Sequence, residues 1–173
     1  MHFLPEFVLI VVLLTFFFLS LGRLPNLLLR RIALTGAFLA TAASVAAVNE
    51  SGVYFFNAYS VDGFSQVFKV ILTGGLFFVI AMSPGLLGVK ERLNGEYYFF
   101  LFLSVFGLVL LASAAEFITL VLSLEISSFS VYVIIPFRRK GRGYRSQMEA
   151  TLKYMMFGAL ATGLTLYGIS YVY

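Results

Sequence analysis

The residue best placed to do chemistry is Glu125, in the stretch 120-LVLSLEISSFSVY-132. Its neighbours are apolar or hydroxyl-bearing, and the run reads as a helix long enough to cross a bilayer. Glu125 lies about ten residues from either end of that helix, roughly 15 Å from each interface at about 1.5 Å per residue. Its side chain is too short to reach water, and an ionised acid there costs about 2.5–3.5 kcal/mol on insertion scales. Two states avoid that cost: a neutral acid, or a carboxylate beside a cation or water. A group whose protonation depends so strongly on its surroundings can serve as a proton relay. The same position also suits a neutral acid that hydrogen-bonds one helix to another. Ser123, Ser127, Ser128 and Ser130 add hydroxyls, and Ser128, at i+3, shares the glutamate's face and could hold a water there. Two further charges, Lys69 and Lys153, lie near helix ends. Snorkelling to the interface or pairing with a nearby acid accounts for both, with Asp62 seven residues before Lys69 and Glu149 one turn before Lys153.

Composition supplies the membrane that gives Glu125 its meaning. The 173 residues are 61% hydrophobic and 12% charged, too little charge to cover a soluble domain of this length. Twenty Phe and ten Tyr suit lipid contact and interfacial positions. There is no Cys, which excludes disulfides, thiolate metal sites and iron–sulfur ligation. The one His, His2, makes no histidine-based metal or haem site. No nucleotide-binding loop, catalytic triad or metal-ligand spacing occurs.

Six apolar segments are expected as helices, since every backbone polar group must be satisfied within lipid. They are about 3–21, 31–48, 64–83, 97–113, 115–136 and 150–173, one membrane domain over 1–173. The second is dominated by small residues, and Ala159 and Gly163 are spaced four apart, the small-xxx-small pattern of close helix packing. The Gly74–Gly75 pair suggests a close crossing or a local break. Connections after the first, third and fifth helices hold Arg23, Arg30, Arg31, Lys90, Arg92, Arg138, Arg139, Lys140, Arg142 and Arg145, ten of the twelve basic residues. The opposite side carries Glu6, Glu50, Asp62 and Glu116. The positive-inside rule puts the basic side in the cytoplasm or mitochondrial matrix and both termini on the outer side. The run 138-RRKGRGYR-145 also suits anionic lipid headgroups.

The order of these residues resembles the N-type antiporter-like subunit of respiratory complex I, NADH:quinone oxidoreductase. The resemblance rests on 97-YYFFLFLSVFGLVLLASAAEFITLVLSLEISSFSVYVI-134 and 149-EATLKYMMFGALATGLTLYGISYVY-173. The stretches 61-VDGFSQVFKVILTGG-75 and 4-LPEFVLI-10 carry it more weakly. It implies an all-α integral membrane protein in the membrane arm of a proton-pumping complex. Glu125 falls on the family's helix-5 glutamate, which pairs with a lysine on a broken seventh helix, and Glu149, Lys153 and Tyr154 match the start of its sixth helix. Ser123 stands where glycine is usual, a departure that leaves the match intact. The family has about fourteen helices, so the resemblance implies that another chain supplies the rest of a split subunit, or that this is a structural remnant or a fragment. It further implies that flavin, NADH, iron–sulfur clusters and quinone sit on other subunits, and that the partners are membrane-arm subunits and lipid, with no nucleic acid. The location expected is the mitochondrial inner membrane or bacterial plasma membrane. The alternatives are an assembly subunit that pumps nothing, and a subunit of a cation/proton antiporter or membrane hydrogenase.

Overall fold

The computed structural model describes residues 3–22, 24–83, 93–137 and 144–172. Six helices follow one another: α1 Leu4–Ser20, α2 Asn26–Ala46, α3 Gly63–Met82, α4 Asn94–Ala112, α5 Phe117–Ile134 and α6 Tyr144–Ser170. A 3-10 turn, Ile135–Phe137, extends α5. The main differences from the expected bounds lie at the polar starts of α2 and α6. Helix α2 begins five residues early, directly after Pro25, whose extended backbone is set for a helix start. Its first turns thereby take in Arg30 and Arg31, which hydropathy alone assigns to a loop. Of the basic connections, Arg23, Lys90, Arg92, Arg138, Arg139, Lys140 and Arg142 lie outside the described residues, as does His2.

Among the described residues, four helical stretches are both long and apolar enough to cross a membrane: Asn26–Ala46, Gly63–Met82, Asn94–Ala112 and Phe117–Phe137. Helix α1 is apolar but shorter, and α6 is long with polar first turns. The chain alternates direction, and side chains tie each end together. At one end Arg30 donates to the Ala81 carbonyl at 3.2 Å, and Asn94 donates to the Asn26 side-chain oxygen. These contacts bring the starts of α2 and α4 to the last turn of α3. The other end carries Glu6, Asp62 and Glu116, so the charge asymmetry in the sequence becomes a difference between the two ends of the bundle.

The acidic end holds the one feature absent from the hydropathy reading, a hairpin of β1 Gly52–Tyr54 and β2 Tyr59–Val61. Its turn places Phe55, Phe56 and Asn57 at φ of 53, 55 and 74°. Left-handed backbone costs about 1–2 kcal/mol for most residues, less for Asn. Pairing with the α4–α5 junction offsets it: Ser60 N–H donates to the Ser113 carbonyl at 2.8 Å and Ala115 N–H to the Ala58 carbonyl at 3.1 Å. The hairpin is thereby fixed to the start of α5. Helix α3 begins at a capping box, in which the Asp62 carboxylate accepts from Ser65 N–H at 2.7 Å and Ser65 Oγ accepts from Asp62 N–H at 3.0 Å. Asp62→Ala should lower stability by about 1 kcal/mol, read as a fall in the thermal midpoint in detergent, with Asp62→Asn close to wild type.

The core runs between α1, α2, α3 and α4 and contains Leu9, Phe16, Ala33, Ala37, Ala40, Ile80 and Phe102. Phe16 stacks on Phe102 with ring centroids 5.5 Å apart. Ala33, Ala37, Ala40 and Ser44 are all fully buried, so the small residues of α2 do form its packing face. The other glycine expectations turn out differently. Helix α3 runs unbroken through Gly74–Gly75; a Cβ at Gly75 would meet nothing within 4 Å, and one at Gly74 only Thr41 at 4.0 Å. Gly163 likewise faces open space and Ala159 is exposed. The close approaches are at Gly107 and Gly158. A Cβ on Gly107 would lie 2.6 Å from Ser127 N and 2.9 Å from the Ser123 carbonyl oxygen, so α4 and α5 touch backbone to backbone.

Candidate functional site

Helix α5 has two polar faces, and the serines sort between them. Ser123, Ser127 and Ser130 are buried. Ser123 and Ser130 donate back to the carbonyls of Thr119 and Ile126, and Ser127 Oγ lies 3.3 Å from Ser104 Oγ on α4. Hydroxyls satisfied within their own helix add little bulk, which lets Gly107 come down onto α5. Glu125 and Ser128 face away from this seam, towards α6.

There Glu125, the ninth of eighteen residues in α5, is half-buried and lines a cavity of about 170 Å3. Ser128, Tyr132, Gly158, Thr162 and Thr165 line it too, so the structure brings Ser128 and Glu125 to one space. The Thr162 hydroxyl lies 2.6 Å from Glu125 Oε1 and 3.1 Å from the Gly158 carbonyl oxygen. One hydroxyl proton serves one acceptor at a time. With Glu125 ionised, the shorter contact is a hydrogen bond donated by Thr162 to the carboxylate. With Glu125 neutral, the carboxyl can donate to Thr162 Oγ1, whose own proton then goes to Gly158. The hydroxyl therefore accommodates both protonation states without moving a helix. Thr162→Val keeps the shape but removes the donor. We expect a stability loss of about 1–2 kcal/mol in thermal unfolding, largely recovered by Thr162→Ser.

Gly158 makes room for this arrangement. A Cβ there would sit 1.8 Å from the Tyr132 hydroxyl, and Tyr132 in turn stands edge-on to Tyr154 with centroids 5.1 Å apart. Glu125 also borders two wider, mostly apolar clefts, of about 560 Å3 along α6 and about 370 Å3 on the α4 side. Lys153 lies elsewhere. It is largely exposed and pairs with Glu149 at 2.5 Å, nine residues from Thr162 or about 13 Å along α6. Among the described residues, Thr162 is the polar side chain that meets Glu125. Sequence reasoning overlooked it because a threonine in an apolar helix is ordinarily satisfied by its own backbone, and nothing in the spacing says which helix face meets α5.

A second polar cluster was also unforeseen. Lys69 neither snorkels nor pairs with Asp62, which is occupied as the α3 cap. It is fully buried, with Nζ 2.7 Å from Glu6 Oε1 of α1 and 5.3 Å from the centre of the Tyr59 ring. The Tyr59 hydroxyl donates to the same Oε1 at 2.6 Å. The pairing spans 63 positions, a separation that no local pattern encodes.

No protein-family model matches the chain. Curated relatives do. NADH-quinone oxidoreductase subunit N 2 of Opitutus terrae is 40% identical over 171 residues, 99% of this chain and 36% of that protein. The protein of the same name from Syntrophobacter fumaroxidans is 37% identical over 175 residues, all of this chain and 36% of its own length. The chain thus spans little more than a third of these relatives. Among solved structures, a chain of respiratory complex I from Thermus thermophilus with bound aureothin superposes with a TM-score of 0.78 at 28% identity, over 96% of this chain and 35% of that one. Agreeing with them in sequence along its whole length and in fold, this membrane protein is a homologue of the N-terminal part of NADH-quinone oxidoreductase subunit N.

Proposed function

We propose that the chain is a six-span portion of an antiporter-like subunit in the membrane arm of a proton-pumping NADH:quinone oxidoreductase, with both termini on the outer side. Glu125 is its proton-transferring group. The observation that carries this reading is a half-buried carboxylate midway along α5, in a cavity with a hydroxyl partner able to serve both protonation states. The lysine that the family resemblance places opposite Glu125 belongs to the part of the relatives that these 173 residues do not match. Flavin, NADH, iron–sulfur clusters and quinone are held by other subunits. Helix α6 supports a partner or lipid on its outer faces, since Leu152, Met156, Phe157, Leu160 and Leu164 are all exposed. The bacterial relatives favour the bacterial plasma membrane.

The mechanism is electrostatic. Reduction of quinone elsewhere in the complex changes the charge facing Glu125, and the carboxyl binds or releases its proton in response. Moving one charge against 100 mV takes about 2.3 kcal/mol, the scale of energy that must reach this site. Purifying the complex through this chain in mild detergent and identifying its subunits by mass spectrometry tests the reading. Quinone-reducing subunits are expected among them. Co-purification of cation-antiporter subunits with no quinone-reducing module would overturn it.

A further inference from the structure

Between α3 and α4, at the acidic end of the bundle, lies a groove of about 570 Å3. Asp62 and Ser60 stand at its mouth, and Phe68, Leu72, Leu108 and Leu111 wall it further in. Helix α3 is long and apolar enough to cross a membrane, and Asp62 caps it. The carboxylate therefore sits where hydrocarbon gives way to headgroups. From Asp62 to Leu72 is ten residues, about 15 Å along the helix. That is half of a hydrocarbon core about 30 Å thick, so the groove is as deep as one leaflet. A helix at least 10 Å across would need more than about 1,100 Å3 over that length, twice the space present. One acyl chain suits it better. The exposed rings of Phe64 and Phe68, with centroids 4.6 Å apart, stand beside it.

We propose that this groove seats an acyl chain of a phospholipid whose headgroup is a primary ammonium, as in phosphatidylethanolamine, with the ammonium donating to Asp62. The apolar walls do not choose the lipid, since every acyl chain is as apolar as they are; they hold it by van der Waals contact. The choice falls to charge. Asp62 is exposed, and Glu116, two residues on from Ala114 at the groove's edge, is a second exposed carboxylate. Among the described residues the cation at this end is Lys69, which is fully buried against Glu6 at 2.7 Å and does not serve the rim. An anionic headgroup would thus meet carboxylates without a compensating charge, whereas an ammonium meets its complement. Capping does not use up Asp62: its Oδ1 accepts from Ser65 N–H at 2.7 Å, and a carboxylate has about four acceptor sites. The trimethylammonium of phosphatidylcholine carries the same charge but has no N–H to donate, so it should rank between the amine lipid and an anionic one. The proposal goes beyond the reading above and stands without it.

The chain contains no tryptophan, so Phe68→Trp places a fluorescent reporter in the groove wall. The protein as purified from its membrane, with whatever subunits accompany it, is reconstituted in phosphatidylcholine vesicles, the wild type serving as the blank. Lipids with brominated chains quench a tryptophan they touch. Brominated phosphatidylethanolamine, phosphatidylcholine and phosphatidylglycerol are compared at equal mole fraction. The amine lipid should show about two- to fivefold higher relative affinity than phosphatidylcholine, the range an exposed ion pair supports, and phosphatidylglycerol should be weakest. Adding Asp62→Asn, which keeps an oxygen for the cap and removes the charge, should abolish the preference. Equal quenching by the three lipids would overturn the proposal, leaving an unselective lipid contact. So would the absence of quenching by any of them, which would mean that protein covers the groove, or a preference that survives Asp62→Asn. Phe64→Trp, at the neighbouring exposed ring, gives the same readout should Phe68→Trp fail to accumulate.

Discussion

Replacing Glu125 by glutamine should cut proton translocation by the assembled complex by about 10²-fold while leaving its abundance nearly unchanged. The amide oxygen still accepts from Thr162 at the position of Oε1, so the α5–α6 contact survives. What disappears is the capacity to gain and lose a proton, and positioned acid–base groups typically contribute about 10²–10⁴-fold. Acidification of proteoliposomes on NADH addition, compared with electron transfer in the same preparation, separates the two effects. Glu125→Asp should fall between, because its carboxyl titrates but is held one methylene further from Thr162. A Glu125→Gln complex that pumps at the wild-type rate would reduce Glu125 to a hydrogen-bonding contact between helices.

The second large effect is expected at Gly107. A Cβ there would stand 2.6, 2.9 and 3.0 Å from backbone atoms of α5, and backbone, unlike a side chain, cannot rotate away. Gly107→Val must force α4 and α5 apart along the seam where Ser104 meets Ser127. Overpacking of this kind costs about 1–3 kcal/mol and occasionally more, and a contact with no mobile atom belongs at the top of that range. We expect about 3 kcal/mol, seen as a large drop in the thermal midpoint and in the yield of assembled complex. Gly75→Ala, on a helix face where an added Cβ meets nothing, provides the contrast and should be neutral or slightly stabilising. Equal losses in the two variants would mean that helix propensity, and not the α4–α5 approach, governs these glycines.

The sequence by itself determined that this is a helical membrane protein, roughly where its helices run, that charge divides between two ends, and which acid lies at mid-depth. These follow from local physics: about twenty apolar residues satisfy their own backbone within lipid, and a carboxylate among them is costly wherever the helix packs. The order of residues over Tyr97–Tyr173 also carried the resemblance that the relatives bear out. Helix ends were misplaced where polar residues begin a helix, as at Asn26 and Tyr144, because hydropathy marks where lipid starts and not where hydrogen bonding does.

Only the tertiary structure decided the partners. Lys69 was legible as a costly charge, but its acid lies on another helix 63 positions away, and Asp62, the nearer candidate, is spent on capping α3. The hairpin escaped notice because three-residue strands carry almost no periodic signal, and the α4–α5 junction is needed to hold them. Four serines in one helix looked alike in sequence. The seam at Gly107 buries three of them and leaves Ser128 with Glu125, and Thr162 became the partner of that acid because α6 turns that face to α5. Each of these depends on which faces meet, and a face is chosen by the fit of whole helices against one another, a property no single stretch of residues contains.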